Sequence, residues 1–219
     1  MNGTTRLAAI LTAATIFGGA ASASDTAGVD AAVHGIALKW EHIKFAVKDS
    51  SEQLKEIDAL AQEAKAVVDK FPNRPEPVIW EGIVTSEEAG MASMFSALGY
   101  AKQARDILER AYKESPAALD AGAPTSLGVL YYRVPGYPVG FGDKSKARSL
   151  LEEAVRLAPD GLDANYFYAD FLMTQKEYAK AKQVLEHALT LPPHPDRPLW
   201  DTNRRIVMKQ MIAQIDAGG

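Results

Sequence analysis

The chain has 219 residues, of which 47% are hydrophobic and 24% charged, with a formal net charge of −4 and no cysteine. These values are ordinary for a soluble globular protein of one or two domains. They exclude disulfides, thiol catalysis and cysteine-ligated zinc. The sequence has no long basic run, which argues against nucleic acid as a partner and against a basic membrane-binding helix.

Residues 1–23 are predicted to be an export signal. Arg6 supplies the positive charge, residues 7–20 form an apolar run broken only by Thr and Gly, and Ala21-Ser22-Ala23 is a small-residue cleavage site. The alternative is an uncut membrane anchor, but the run is shorter than the about 20 apolar residues of a spanning helix. We therefore expect cleavage after Ala23, a periplasmic protein and no stable membrane insertion.

Residues 24–76 are predicted to form an N-terminal helical hairpin. Apolar residues recur at spacings of three and four over residues 29–48 and again over residues 52–70. Ser50, followed three places on by Gln53, predicts a capping box at the start of the second helix. Prolines 72 and 75 then end that helix.

Residues 77–197 are predicted to form three helix pairs that repeat one pattern. The second helix of each pair carries Ala-x3-Leu-x2-Ala-x4-Pro, beginning at Ala104, Ala147 and Ala181. The last two copies are 34 residues apart, a period typical of a helix–turn–helix array. Asp143 is predicted to cap the second helix of the middle pair. Residues 198–219, opened by Pro198, are predicted to be a capping helix with one wet face.

An insertion interrupts the middle pair. The first two copies are 43 residues apart, and most of the extra length falls in residues 134–142, VPGYPVGFG. Two prolines and three glycines forbid a regular helix there. Tyr137 and Phe141 either form a contact loop for a partner or fold back to fill the gap left by the longer connection.

The pattern resembles tetratricopeptide repeats, strongly over residues 119–193 and fairly over residues 77–116. The residues that carry the resemblance include Leu127-Gly128, Tyr131 and Tyr168-Ala169, besides the alanine pattern. The resemblance implies an all-α, tetratricopeptide-like α-solenoid of antiparallel helix pairs with a C-terminal capping helix. It extends to the exported tetratricopeptide proteins of Gram-negative bacteria.

The same resemblance implies a partner site on the concave face, which the first helix of each pair lines. Projected by position, the candidate residues are Ile83, Glu87, Thr125, Val129, Tyr132, Arg133, Tyr166, Asp170 and Met173, with Tyr137 and Phe141 of the insertion added. Tyrosine and arginine are enriched at interface hot spots.

The sequence offers little for catalysis. The histidines, His34, His42, His187 and His194, lack metal-ligand spacing, and residues 140–145 have Asp143 after the last glycine where a phosphate loop needs lysine. Glu87 and Glu88 are helix neighbours that point about 100° apart. We therefore predict a protein that is not an enzyme and uses no metal and no cofactor.

The sequence is compatible with two functions. The first is an exported, non-catalytic adaptor or scaffold that binds an unidentified protein or peptide through its concave face. The alternative is an accessory component of a periplasmic solute-uptake system, docking a binding protein or holding a small ligand. It is suggested by a more distant likeness to the tetratricopeptide component of tripartite ATP-independent periplasmic transporters.

Overall fold

The computed structural model describes residues 19–218, and this part of the chain contains nine helices and no strand. They are α1 Gly19–Phe45, α2 Ser50–Lys70, α3 Pro75–Met91, α4 Met94–Glu114, α5 Ala118–Arg133, α6 Lys144–Leu157, α7 Leu162–Thr174, α8 Tyr178–Thr190 and α9 Pro198–Asp216. The predicted all-α fold class is confirmed. Residues 1–18 of the predicted export signal lie outside the described residues.

The helices pack as four consecutive hairpins followed by α9. The first helices of the hairpins, α1, α3, α5 and α7, contact one another in sequence and form an inner layer. The second helices pack on the outside, each between its own partner and the next hairpin. Helix α9 extends the inner layer beyond α7 and also contacts α1, so the inner layer closes on itself.

Small side chains allow the two helices of a hairpin to approach closely. Ala147 and Ala181 are fully buried, as the repeat pattern predicts. Gly128 of α5 faces Leu151 of α6 so closely that an added Cβ would lie 2.6 Å from the Leu151 Cγ. Such a contact is far inside van der Waals distance, so a larger residue there would push the helices apart.

Side-chain N-caps begin helices α2 and α6. The Asp143 carboxylate accepts hydrogen bonds from the backbone N–H groups of Ser145 (2.9 Å) and Lys146 (3.0 Å), which confirms the predicted cap. The predicted capping box at Ser50 is wrong, because Asp49 is the N-cap and accepts from the Glu52 N–H at 2.9 Å. Aspartate one residue earlier offers the stronger acceptor.

Two helices begin earlier than the sequence predicts. Residues 19–28 already belong to helix α1, ahead of the start predicted near residue 29, since this stretch is rich in alanine, the best helix former. Helix α4 begins at Met94, well before the repeat pattern that starts at Ala104.

The start of α5 is irregular. Leu119, Asp120 and Ala121 all have positive φ, between 50° and 57°. This left-handed conformation is unfavourable for residues with a Cβ, and it is often retained beside a functional site. Leu119 and Asp120 line the cavity described next.

Candidate ligand chamber on the concave face

The inner layer borders a cavity of about 840 Å³, which we call the chamber. Side chains from α1, α3, α4, α5, α7 and α9 line it, together with Val134, Pro135 and Val139 of the insertion. Its volume falls within the range of small-molecule and cofactor sites. A smaller cleft of about 350 Å³ is lined only by α1 and α2.

One end of the chamber is an aromatic cage around Arg197, built from all three tryptophans of the sequence. The guanidinium carbon of Arg197 lies 4.5 Å from the ring centroid of Trp200, 5.4 Å from that of Trp80 and 6.0 Å from that of Trp40. Cations are attracted to indole faces at such distances. The cage therefore holds a positive charge against an apolar wall.

The cage sits where α9 meets α1, a contact that we call the seam and that consists of Trp40, Glu41, Arg197 and Trp200. Glu41, only 2% exposed, accepts a hydrogen bond from the Trp200 backbone N–H at 2.6 Å, and its other oxygen lies 3.4 Å from Arg197 Nε. Arg197 is the N-cap of α9 and makes no side-chain cap of its own. A carboxylate from α1 thus satisfies an N-terminal donor of α9.

Further along the chamber, α7 and α9 meet through a second stacked pair. The Arg204 guanidinium carbon lies 3.9 Å from the Tyr166 ring centroid, and Arg204 Nε lies 2.7 Å from the Asp163 carboxylate. The Trp200 indole N–H donates to the same carboxylate at 3.1 Å. Burial raises the pKa of Tyr166, and the nearby Arg204 charge opposes that rise.

On α5 and α7, Arg133, Tyr132 and Asp170 form a polar cluster beside the chamber. Arg133, whose side chain is 53% exposed, pairs with the Asp170 carboxylate at 2.8 Å, and the Tyr132 hydroxyl donates to that same carboxylate. Burial, reinforced by the Asp170 charge, raises the pKa of Tyr132, so the phenol stays a hydrogen-bond donor.

Five buried polar atoms that belong to lining residues have no hydrogen-bond partner among the described residues. Two of them, Asp163 Oδ1 and Arg204 Nε, face each other at 2.7 Å as an ion pair. The other three are Trp40 Nε1, Thr125 Oγ1 and Arg197 Nη2. A buried donor without an acceptor loses its hydration and gains nothing in return, and such groups are uncommon in proteins.

The structure brings some of the predicted site residues together and separates others. Ile83, Glu87, Thr125, Val129 and Arg133 line the chamber. Tyr132, Tyr166 and Asp170 contact its wall through the pairs described above, and Met173 packs on the core.

The two aromatic residues of the insertion divide between the two expected roles. Phe141 folds back onto Tyr131, with ring centroids 5.4 Å apart, and Arg105 lies over its ring at 4.7 Å. Tyr137 is 95% exposed. Only one of the two rings therefore fills the gap.

The site residues projected from the tetratricopeptide resemblance do not include the residues of the cage. Trp40 and Trp80 lie before the well-patterned repeats, and Arg197 and Trp200 lie after them. Their partnership depends on the closure of α9 against α1, which no local pattern encodes. The scarcity of tryptophan, three in the whole sequence, is the one signal that singles out part of this set.

The described part of the chain shows no group of three or more His, Cys, Asp or Glu side chains able to hold a metal ion. Nor does any helix within residues 19–218 combine the length and apolar character needed to cross a membrane.

Comparison with known proteins agrees with the repeat architecture. Residues 140–201 match the family model described as tetratricopeptide repeat. The chain is similar in structure to a thermophilic tetratricopeptide protein of Thermus thermophilus, with a TM-score of 0.56, 16% identity, and coverage of 88% of this chain and 95% of that one. The fold is therefore a tetratricopeptide-like α-solenoid, and the match supports that family for residues 140–201.

Two other solved structures are more weakly similar. MamA of AMB-1 has a TM-score of 0.41 and 15% identity, covering 90% of this chain and 94% of that one. Yeast Tom70 has a TM-score of 0.44 and 14% identity, covering 90% of this chain and 45% of that one.

Proposed function

We propose that the protein is an exported, non-catalytic binding module that takes a short segment of a partner protein into the chamber. The observation that carries the proposal is the chamber itself: about 840 Å³ on the concave face, walled by the inner helices and lined by tryptophans and an exposed arginine. It is far too small for a folded domain and suits a short extended segment. Aromatic and arginine side chains are the usual anchors of such contacts.

The non-catalytic part of the proposal is supported by the way the lining charges are used. Lys44 is paired with Glu87 at 2.6 Å, and Arg204 is paired with Asp163 at 2.7 Å. Ion-paired groups of this kind position walls and partners, whereas a general acid or base needs a free group with a pKa near the working pH.

The test is selection of peptides from a random displayed library on the immobilised protein. Val129→Trp, which places a large ring in the chamber, is expected to abolish recovery of the enriched peptides. Lys55→Trp, the same new side chain on an exposed position of the outer helix α2, should leave recovery unchanged. Equal recovery by the wild type and Val129→Trp would remove the chamber as the binding site.

Export is a separate part of the proposal, supported by the sequence of residues 1–23. Mass spectrometry of the protein from a periplasmic fraction should give a chain that begins at Ser24 and has a formal charge of −5, since Arg6 is lost. An uncut chain retained in the cytoplasm would contradict export.

A small-ligand role is the second candidate, as part of a solute-uptake system that also docks a binding protein. It is favoured by the closure of α9 against α1, which adds a further wall to the chamber. A metabolite panel tests it by thermal shift, because a ligand of the native state raises stability as RT ln(1 + [L]/Kd). A panel that shifts the melting temperature nowhere would eliminate this candidate.

A further inference from the structure

We propose that the chamber selects an apolar, uncharged segment with carbonyl oxygens, and that these oxygens accept hydrogen bonds from buried donors of its wall. The inference rests on the proposed function and specifies its ligand chemistry. A peptide with neutral side chains and a small neutral ester share this chemistry. Charged ligands of the same size are excluded by it.

The first support is the balance of charge in the chamber. Each lysine or arginine that lines it lies within ion-pairing distance of a carboxylate of the described chain. The pairs are Lys44–Glu87 (2.6 Å), Arg133–Asp170 (2.8 Å), Arg197–Glu41 (3.4 Å) and Arg204–Asp163 (2.7 Å). Asp120 adds one more carboxylate to the lining.

This balance opposes an anionic ligand. A carboxylate entering the chamber would meet cations that are already neutralised, while it lost its own hydration against indole walls. Desolvation of an ion is costly unless a fresh countercharge meets it. A cationic ligand would find the tryptophan cage already occupied by Arg197.

The second support is the character of the unpaired groups. Asp163 Oδ1 and Arg204 Nε face each other at 2.7 Å, which leaves three groups without any partner. Of these, Trp40 Nε1 and Arg197 Nη2 can only donate, and the Thr125 hydroxyl can donate as well as accept. All three belong to residues that line the chamber, so they call for acceptors on whatever fills it. Each atom is covered by its neighbours, so an oxygen reaches it only when a lining side chain changes rotamer.

The third support is the apolar mouth. Met94 at the start of α4 and Val139 of the insertion both line the chamber and are 89% and 66% exposed. Large apolar side chains exposed together mark contact surfaces. An uncharged, apolar segment would cover them, whereas a compact polar solute would leave them in water.

The experiment uses two matched ligand series on the full mature chain. The peptide series is acetyl-Leu-Ala-Leu-amide, the same peptide with a free C-terminal carboxylate, and the same peptide with a free N-terminal amine. The small-molecule series is methyl octanoate, octanoate and octylamine. Binding is followed by calorimetry and by tryptophan fluorescence, because all three indoles surround the cage.

The neutral member of at least one series should bind about tenfold or more tightly than its charged relatives, with little dependence on salt. Which series binds tells a peptide ligand from a small one. A carboxylate or amine that binds as tightly as the neutral member overturns the inference.

A charge variant tests the balance directly. Glu87→Gln leaves Lys44 without its carboxylate, so the preference should shift toward the anionic ligand by several-fold. Glu63→Gln is the matched control, because it frees Lys39 from an ion pair of the same 2.6 Å length outside the chamber. An unchanged preference in Glu87→Gln would contradict the charge argument.

A hydroxyl variant tests the donors. Thr125→Val keeps the shape and removes an unpaired buried hydroxyl, so affinity for the neutral ligand should fall several-fold while the melting temperature does not fall. Thr85→Val is the control. It removes a hydroxyl that donates to the Glu81 carbonyl at 2.8 Å, so it should lower the stability and leave the affinity unchanged. Full affinity in Thr125→Val would remove that hydroxyl from the site.

The experiments distinguish a failure of the proposed function from a failure of the inferred ligand chemistry. If Val129→Trp still captures the same peptides as the wild type, the proposed function fails. If capture depends on the chamber but neutral and charged ligands bind alike, or neither series binds, only the ligand chemistry inferred here fails.

Discussion

The repeat block, helices α5 to α8, and the seam between α1 and α9 are held together in different ways. In the repeat block, fully buried alanines such as Ala147 and Ala181 bring neighbouring helices into contact. At the seam, a buried carboxylate, an arginine and tryptophans replace that apolar contact. The block is built from local repeats, whereas Glu41 and Trp200 are 159 residues apart in the chain.

The difference bears on where a ligand can be held. Apolar contacts such as those of Ala147 and Ala181 give stability and offer no polar group to a ligand, whereas the chamber side of α5 offers the Thr125 hydroxyl. The seam gives up part of that stability, since it buries donors without acceptors. Side chains kept at a cost in stability are good candidates for a binding role.

The largest expected effect is in the repeat block. Ala181→Arg puts a charge without a partner into a fully buried position of α8, and it should destabilise the protein by about 4 kcal/mol or more. Ala179→Arg, on an exposed position of the same helix, should change stability by less than about 0.5 kcal/mol. Thermal melts followed by circular dichroism measure both, and equal melts would refute the packing of α8.

The second-largest loss of stability is expected at the seam. Glu41→Gln leaves the Arg197 cation in the cage without its carboxylate, which we expect to cost about 3 kcal/mol. Urea unfolding followed by tryptophan fluorescence should report the loss, and the double variant with Arg197→Gln should recover part of it. Glu63→Gln breaks an exposed pair and should cost no more than about 1 kcal/mol. A Glu41→Gln variant as stable as Glu63→Gln would mean that the seam is held by apolar contact alone.

The same contrast explains what the sequence could predict. The helix pairs, the alanine pattern and the Asp143 cap follow from residues at most 43 apart, so a repeating local pattern reveals them. Part of the chamber lining also follows, because the first helices of an array face one side: Ile83, Glu87, Thr125, Val129 and Arg133 line it. The cage does not follow, since it depends on Arg197 meeting Trp40 and Trp80 through closure of the whole array.

A smaller effect on stability is expected between α2 and α3, and it depends on pH. Burial, to which the charge of Asp58 adds, raises the pKa of Glu88 from its ordinary value of 4.5 to about 7. The folded state then binds more protons than the unfolded state between these values, so stability falls as the pH rises from about 4.5 to about 7. The loss is at most about 3 kcal/mol.

Glu88→Gln should remove most of this loss, so the variant should be more stable than the wild type at pH 8 and similar to it at pH 5. Urea unfolding at the two pH values measures it. Glu87→Gln, at the neighbouring residue that pairs with Lys44, serves as the control and should keep the pH dependence. A wild type equally stable at both pH values would show that Glu88 is hydrated.

The smallest expected effect is a gain in stability confined to the repeat block. Lys176, between α7 and α8, has a φ of 62°, a left-handed conformation that glycine adopts without strain. Lys176→Gly should therefore stabilise the protein by about 1 kcal/mol, whereas Lys176→Ala keeps the strain and should gain nothing. Urea unfolding compares the two variants. Because the turn is local, tryptophan fluorescence and ligand affinity should stay at their wild-type values in both, and a change in either would mean that the turn between α7 and α8 is coupled to the seam.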